Sequence, residues 1–249
     1  MVVAAVFGFH RASTAEAGEF ELSDPGVPPP ARLGIVVPTP QPLPSIGPEY
    51  RSAPILRPVV ARAEPTDDAA AVVALSATTP EATSNLVLVI GRKLQPDGTL
   101  WLHVRLPVLP NNRTGWIPRS AVGGYSVLHT RLVVDLERLE ATLLRDGRPI
   151  FHARVGVGKP SSPTPSGDFY IRDRVTSFNN AFYGPLAFGT SARSAVLTDW
   201  PAGGFVGIHG TNRPELIPGR VSHGCIRMRN ADITRLGRLM QVGTPLTVR

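Results

Sequence analysis

"GFVGIHGTNRPELIPGRVSHGCIRMRN", residues 204–230, holds the only cysteine of the chain, Cys225, together with His209 and His223. Its first part, "GFVGIHG", reads as a short strand. Its end runs into "NADITRLGRLM", where Ile233, Leu236 and Met240 recur at helical spacing behind a candidate N-cap at Asn230. A strand, a polar turn kinked at Gly224 and a helix therefore surround one thiol. That thiol can be an inert small hydrophobe, a metal ligand or a nucleophile. The turn S-H-G-C-x-R is polar and a poor place for core packing. A nucleophile needs the thiolate, and an ordinary pKa of about 8.5 leaves little of it at neutral pH. Two imidazoles, the cations Arg227 and Arg229, and a helix start close by are features that raise that fraction. Consecutive N–H groups through the turn suit an oxyanion hole. Zinc held by His209, His223 and Cys225 fits a three-ligand catalytic pattern, but no acidic general base accompanies it.

Upstream of this stretch the pattern is strand after strand. "TRLVVDL" (130–136) precedes "RLEATLLRDGRPIFHARVGVG" (138–158), which turns at Asp146-Gly147, a pair suited to positive φ. "DFYIRDRV" (168–175) alternates, and "GTPLTVR" (243–249) supplies a closing strand. Between lies an aromatic, glycine-rich segment with Phe178, Phe182, Tyr183, Phe188 and Trp200. "GVGKPSS" (156–162) is not a phosphate loop, because Ala153 and Pro160 stand where that motif needs glycine and Ser or Thr. Residues 127–249 are thus expected to form a mostly-β domain with one short helix.

A second, smaller β unit is expected over 66–126. "NLVLVIGRKLQPDGTLWLHVRL" (85–106) places two apolar runs around Asp97-Gly98. Leu100, Leu102, Val104 and Leu106 share one face, with Trp101, His103 and Arg105 on the other. Residues 18–65 are rich in proline and are read as an extended, disordered tether. Residues 1–17 are apolar at their start and carry "AEA" at 15–17, the form of an export-signal remnant.

A formal charge of +7, carried almost wholly by arginine, favours anionic partners. The arginines are scattered, without blocks or interleaved aromatics, so nucleic acid is not an expected partner. One cysteine excludes an internal disulfide framework and multi-cysteine zinc modules. No apolar run is long enough for a transmembrane helix.

H-G-T-N…S-H-G-C-I-R-M-x-N (209–230) resembles the signature of the L,D-transpeptidase (YkuD-type) catalytic domain. "SSPTPSGDFYI" (161–171) is similar to that family's T-P-x-G-x-F-x-I segment, and "VGTPLTV" (242–248) fits its end. The resemblance covers 127–249 and implies a YkuD-like β-sandwich. It implies Cys225 as nucleophile, His209 as the base that takes the thiol proton, and the Gly210 carbonyl as the group orienting that imidazole. His223 would assist proton handling or shape the site, and the amides of His223, Gly224 and Cys225 would form the oxyanion hole. Arg227, Tyr183 and Ser222 are carried over as substrate-side residues, Ser222 with Asn230 as shaping the motif and Tyr183 in a covering flap. No metal or organic cofactor is implied. The implied partners are peptidoglycan stem peptides, a donor tetrapeptide and an acceptor amine, with carbapenem-type inhibitors. W-L-x-V-x-L-P…N-x-x-T-G-W-I-P (101–118) resembles bacterial SH3-like domains, small β-barrels, and implies a cell-wall ligand for 66–126. Together these imply an exported enzyme of the wall or periplasm. An L,D-carboxypeptidase using the same residues, and a non-catalytic wall-binding protein, remain alternatives.

Overall fold

A computed structural model describes residues 50–176, 181–197 and 204–249. The export-signal reading of 1–17, most of the tether, Phe178 and Trp200 lie outside the described residues. The first sheet contains β1 (Tyr50–Pro54), β2 (Val59–Arg62), β3 (Ala71–Leu75), β4 (Leu86–Leu94), β5 (Leu100–Arg105), β6 (Thr114–Pro118) and β7 (Ser126–Leu128). It is antiparallel throughout, in the order β3-β2-β6-β5-β4-β1-β7. Alternation along β5 works as expected for Leu102 and Val104, which join Ile55, Ala61, Val87 and Ile117 in one core. Trp101 is also buried, whereas Trp116 stays half-buried and stacks on His103 at 4.5 Å.

The tether reading fails from residue 50 onward. β1 pairs with β4 through Arg51↔Val89 to Pro54↔Leu86, so the sheet begins at Tyr50 rather than at 66. Two of the prolines in the described part of that segment sit where a sheet tolerates them. Pro54 ends β1 and Pro58 precedes β2, while Ala53, Ile55 and Ala61 beside them supply buried positions.

The second sheet contains β8 (Thr130–Asp135), β9 (Glu140–Arg145), β10 (Arg148–Arg154), β11 (Gly156–Gly158), β12 (Gly167–Thr176), β13 (Leu186–Arg193), β14 (Phe205–His209), β15 (Gly219–Ser222), β16 (Ile226–Arg227) and β17 (Pro245–Val248). The order is β10-β9-β8-β17-β12-β13-β14-β16-β11-β15. Asp146 and Gly147 both take positive φ, as the expected hairpin between β9 and β10 requires. β12 changes partner along its length: Gly167–Tyr170 pair with β17, and Ile171–Thr176 pair with β13. The two wings share one core, with Leu132, Leu143 and Phe151 from one and Phe188, Ile208 and Ile226 from the other. The single α-helix among the described residues, α1 (Asn230–Leu239), adds Ile233 and Leu236 to that core. No helix among the described residues is long and apolar enough to cross a membrane.

Candidate active site

β14 and β16 run parallel, with Ile208 opposite Ile226 and His209 opposite Arg227. Both isoleucines are fully buried in the core. Side chains alternate along a strand, so Gly207 and His209 on β14, and Arg227 on β16 with Cys225 just before it, emerge on the other face. The apolar pair at 208 and 226 therefore aims an imidazole, a thiol and a guanidinium into one cavity. That cavity measures about 490 Å³ with its open mouth, and Phe182, Tyr183, Phe205 and His223 complete its walls.

Gly207 has no side chain to fill the space between thiol and imidazole. A β-carbon there would lie 3.8 Å from Cys225 Sγ and 3.9 Å from His209 Cδ2. Its amide donates to Sγ at 3.4 Å. His209 is buried, and Nδ1 lies 2.6 Å from the Gly210 carbonyl oxygen. A carbonyl only accepts, so Nδ1 carries the hydrogen and Nε2 is left with a free lone pair. Burial, helped by the positive charge of Arg227, lowers the His209 pKa to about 4, against the pull of the Gly210 bond. Burial also pushes the Cys225 thiol above its ordinary value, although the Gly207 amide and Arg227 favour the thiolate. The expected rise of the thiolate fraction is opposed by desolvation, which outweighs the cations at Cys225.

The turn that carries Cys225 is held from two sides. Ser222 Oγ donates to the Cys225 carbonyl at 2.6 Å and accepts the Gly224 N–H at 3.1 Å. Thr164 Oγ1 accepts the Gly158 N–H at 2.9 Å and donates to the Gly224 carbonyl at 2.7 Å. Gly224 takes φ +120°, a backbone conformation rarely adopted by other residues. Ser222 is fully buried, lines the cavity and makes both its hydrogen bonds within the turn, as a residue that shapes the motif does. One expectation changes here. The Gly224 amide is already bonded, which leaves those of His223 and Cys225 as candidate oxyanion donors. Thr164 was not among the expected site residues, although it is the threonine of "TPSG".

His223 is exposed at the mouth, while Arg227 is buried with its guanidinium 4.5 Å above the Phe182 ring. Phe182 and Tyr183 come from one helical turn, Ala181–Tyr183, and the Tyr183 ring meets His209 edge-on at 5.0 Å. Asn230 is not the helix cap; Arg229 holds that position, without a side-chain cap bond. Asn230 Oδ1 instead accepts the Thr211 N–H at 2.9 Å, and a β-carbon on either Gly184 or Gly210 would fall 2.4 Å from it. It thereby packs the Tyr183 segment against the backbone that orients His209. Among the described residues, no three His, Cys, Asp or Glu side chains converge to hold a metal ion.

This arrangement can transfer a proton from thiol to imidazole and present sulfur to an acyl carbon. The family model of the YkuD L,D-transpeptidase catalytic domain matches residues 129–248. YkuD of Bacillus subtilis is 34% identical over 117 residues, which cover 47% of this chain and 64% of that protein. YqjB of the same species is 30% identical over 128 residues, covering 47% of this chain and 69% of that protein. The chain thus spans just under two thirds of the length of the YkuD protein it matches. Among solved structures, the catalytic domain from an Enterococcus faecium L,D-transpeptidase is 28% identical with a TM-score of 0.36, covering 48% of this chain and 96% of that domain. L,D-transpeptidase 3 from Mycobacterium tuberculosis is 14% identical with a TM-score of 0.42, covering 66% of this chain and 91% of the other.

Proposed function

Since the chain belongs to the YkuD family of L,D-transpeptidase catalytic domains, we propose that it is a cysteine acyltransferase that forms 3→3 cross-links in peptidoglycan. The observation that carries this reading is the convergence of Cys225 and His209, with Nδ1 bound to the Gly210 carbonyl, in one cavity. As substrate enters, His209 Nε2 takes the thiol proton while sulfur attacks the carbonyl of the third residue of a tetrapeptide stem. The amides of Cys225 and His223 receive the developing oxyanion. Collapse of the intermediate passes the proton to the amine of the terminal D-alanine, which leaves, and a thioester remains on Cys225. The side-chain amine of a second stem then attacks the thioester, giving up its proton through His209 and restoring the thiol. Arg227, at the cavity wall, faces the carbonyls or carboxylate of the stem, and the Tyr183 segment covers it. The chain's own groups suffice for each step, and no cofactor is invoked.

The same thiol is the proposed site of acylation by carbapenems. The sheet over 50–128 is proposed to be the SH3-like unit that contacts the wall, and the protein to act outside the cytoplasm. Incubation with a disaccharide tetrapeptide, read by mass spectrometry for wild type and Cys225→Ala, tests the reading. A dimer lacking one D-alanine, absent from the variant, is expected. Tripeptide alone would make it a carboxypeptidase, and activity surviving in Cys225→Ala would overturn the assignment.

A further inference from the structure

Phe205 opens β14, the strand that ends in His209, and its ring lines the Cys225 cavity. Two guanidinium groups lie over that ring, Arg172 at 3.8 Å from its centroid and Arg193 at 4.7 Å. Neither arginine is placed by the second sheet alone. Arg172 is buried, and it forms an ion pair of 2.8 Å with Glu81, which lies between β3 and β4 of the first sheet. Asp173 is its nearer neighbour in sequence but sits farther away, at 3.3 Å. Arg193 is held through its backbone by Asn111, from the loop between β5 and β6. The Asn111 side chain donates Nδ2 to the Arg193 carbonyl at 2.7 Å and accepts the Arg193 N–H at 2.9 Å. This amide mimics a strand partner at the end of β13. The next residue, Ser194, also lines the cavity and accepts the N–H groups of Val196 and Leu197.

We propose that Glu81 and Asn111 are positioning residues for the cavity, fixing its Phe205 wall from the first sheet through Arg172 and Arg193. Cation–π contacts are individually modest, but two on one ring set its tilt. A buried arginine goes where its carboxylate partner is. The first sheet is then a part of the acyl-donor pocket, and not only a separate module carried on the same chain. The inference rests on the acyl-transfer reading only in naming a peptide stem as what the pocket receives.

Cys225 is the only cysteine, so its labelling is unambiguous by intact mass. Iodoacetamide reports the thiol itself, whereas N-phenylmaleimide must also pass the Phe205 wall. In the full chain, Glu81→Ala and Asn111→Ala are expected to change the ratio of the two labelling rates by about three- to tenfold. In turnover on tetrapeptide they should shift KM by a similar factor, leaving kcat within about twofold. Each substitution is then repeated in a Phe205→Leu background, where its effect on the ratio should fall below about 1.5-fold. Persistence of the full effect without the ring overturns the proposal. So does an equal change with both reagents, the mark of general loosening, or no change at all. If Glu81→Ala does not fold, Asn111→Ala carries the same test through Arg193. Absence of turnover in wild type would count against the transpeptidase reading alone, because the labelling arm needs no substrate.

Discussion

The two sheets solve different problems with the same local chemistry. Every pairing in the first sheet is antiparallel, and β4 and β5 are joined by a short hairpin. The second sheet adds parallel pairs, β14 with β16, β11 with β15, and β8 with β17. A hairpin brings together residues whose separation the turn dictates. A parallel pair needs a crossover, and the crossover here, residues 210–225, is itself the site: it begins with the carbonyl that orients His209 and ends with Cys225. The antiparallel sheet therefore offers a rigid body, and the parallel ladder offers chemistry.

The strongest way to break that contrast is to empty the ladder's polar face. His209→Ala should lower the acylation rate of Cys225 by at least about 10³-fold, measured by stopped-flow with a carbapenem, because His209 is the buried imidazole whose Nε2 lone pair the Gly210 bond leaves available for the thiol proton. A paired comparison sharpens it. Ile117→Ala in the first core and Ile208→Ala beneath the site should each cost about 2–5 kcal/mol in urea unfolding. Only Ile208→Ala should also slow acylation, since that isoleucine sets which way His209 points. Equal effects of the two on acylation would mean that the face alternation does not position the catalytic groups.

The buried imidazole has a stability consequence. Its pKa is lowered to about 4 from an ordinary 6.5, so the unfolded chain takes up a proton between those values that the folded chain refuses. The His209 contribution is complete above pH 6.5 and is lost as pH falls toward 4, by about 3 kcal/mol in all. Urea midpoints at pH 7 and pH 4.5 should show this fall in wild type, and a smaller one in His209→Gln. Smaller still is the effect of the second clamp on the cysteine turn. Thr164→Val leaves the Gly158 amide and the Gly224 carbonyl without their partner, at about 1–3 kcal/mol, and should lower acylation by about tenfold. An unchanged acylation rate would show that Ser222 alone holds the turn.

Much of this site is legible in residue types and spacing. His209 and Cys225 flank a strand-turn-strand pattern, and the isoleucine beside each marks which face is buried. What escapes that reading is what burial and long-range contact decide. The cations around Cys225 suggest a thiolate, but depth in the protein outweighs them. Asn230 looks like a cap because it opens a helix, yet its amide reaches back to Thr211. The Gly224 amide looks available until Ser222 Oγ is seen to occupy it. β1 and β2 were hidden because proline density masked the alternation of Ala53, Ile55 and Ala61. Asn111 and Glu81 carry no local signal at all, since their partners lie 82 and 91 positions away.

The change of partner along β12 has a consequence for how the protein opens. At the changeover Tyr170 and Ile171 each touch both wings, Tyr170 through Pro245 and Ser191 and Ile171 through Thr244 and Thr190, so neither wing can detach without disturbing the same continuous strand. Hydrogen exchange along 167–176 should report a single cooperative unit rather than two. Opening as one unit leaves no half-open form in which the thiol is bared while the scaffold survives.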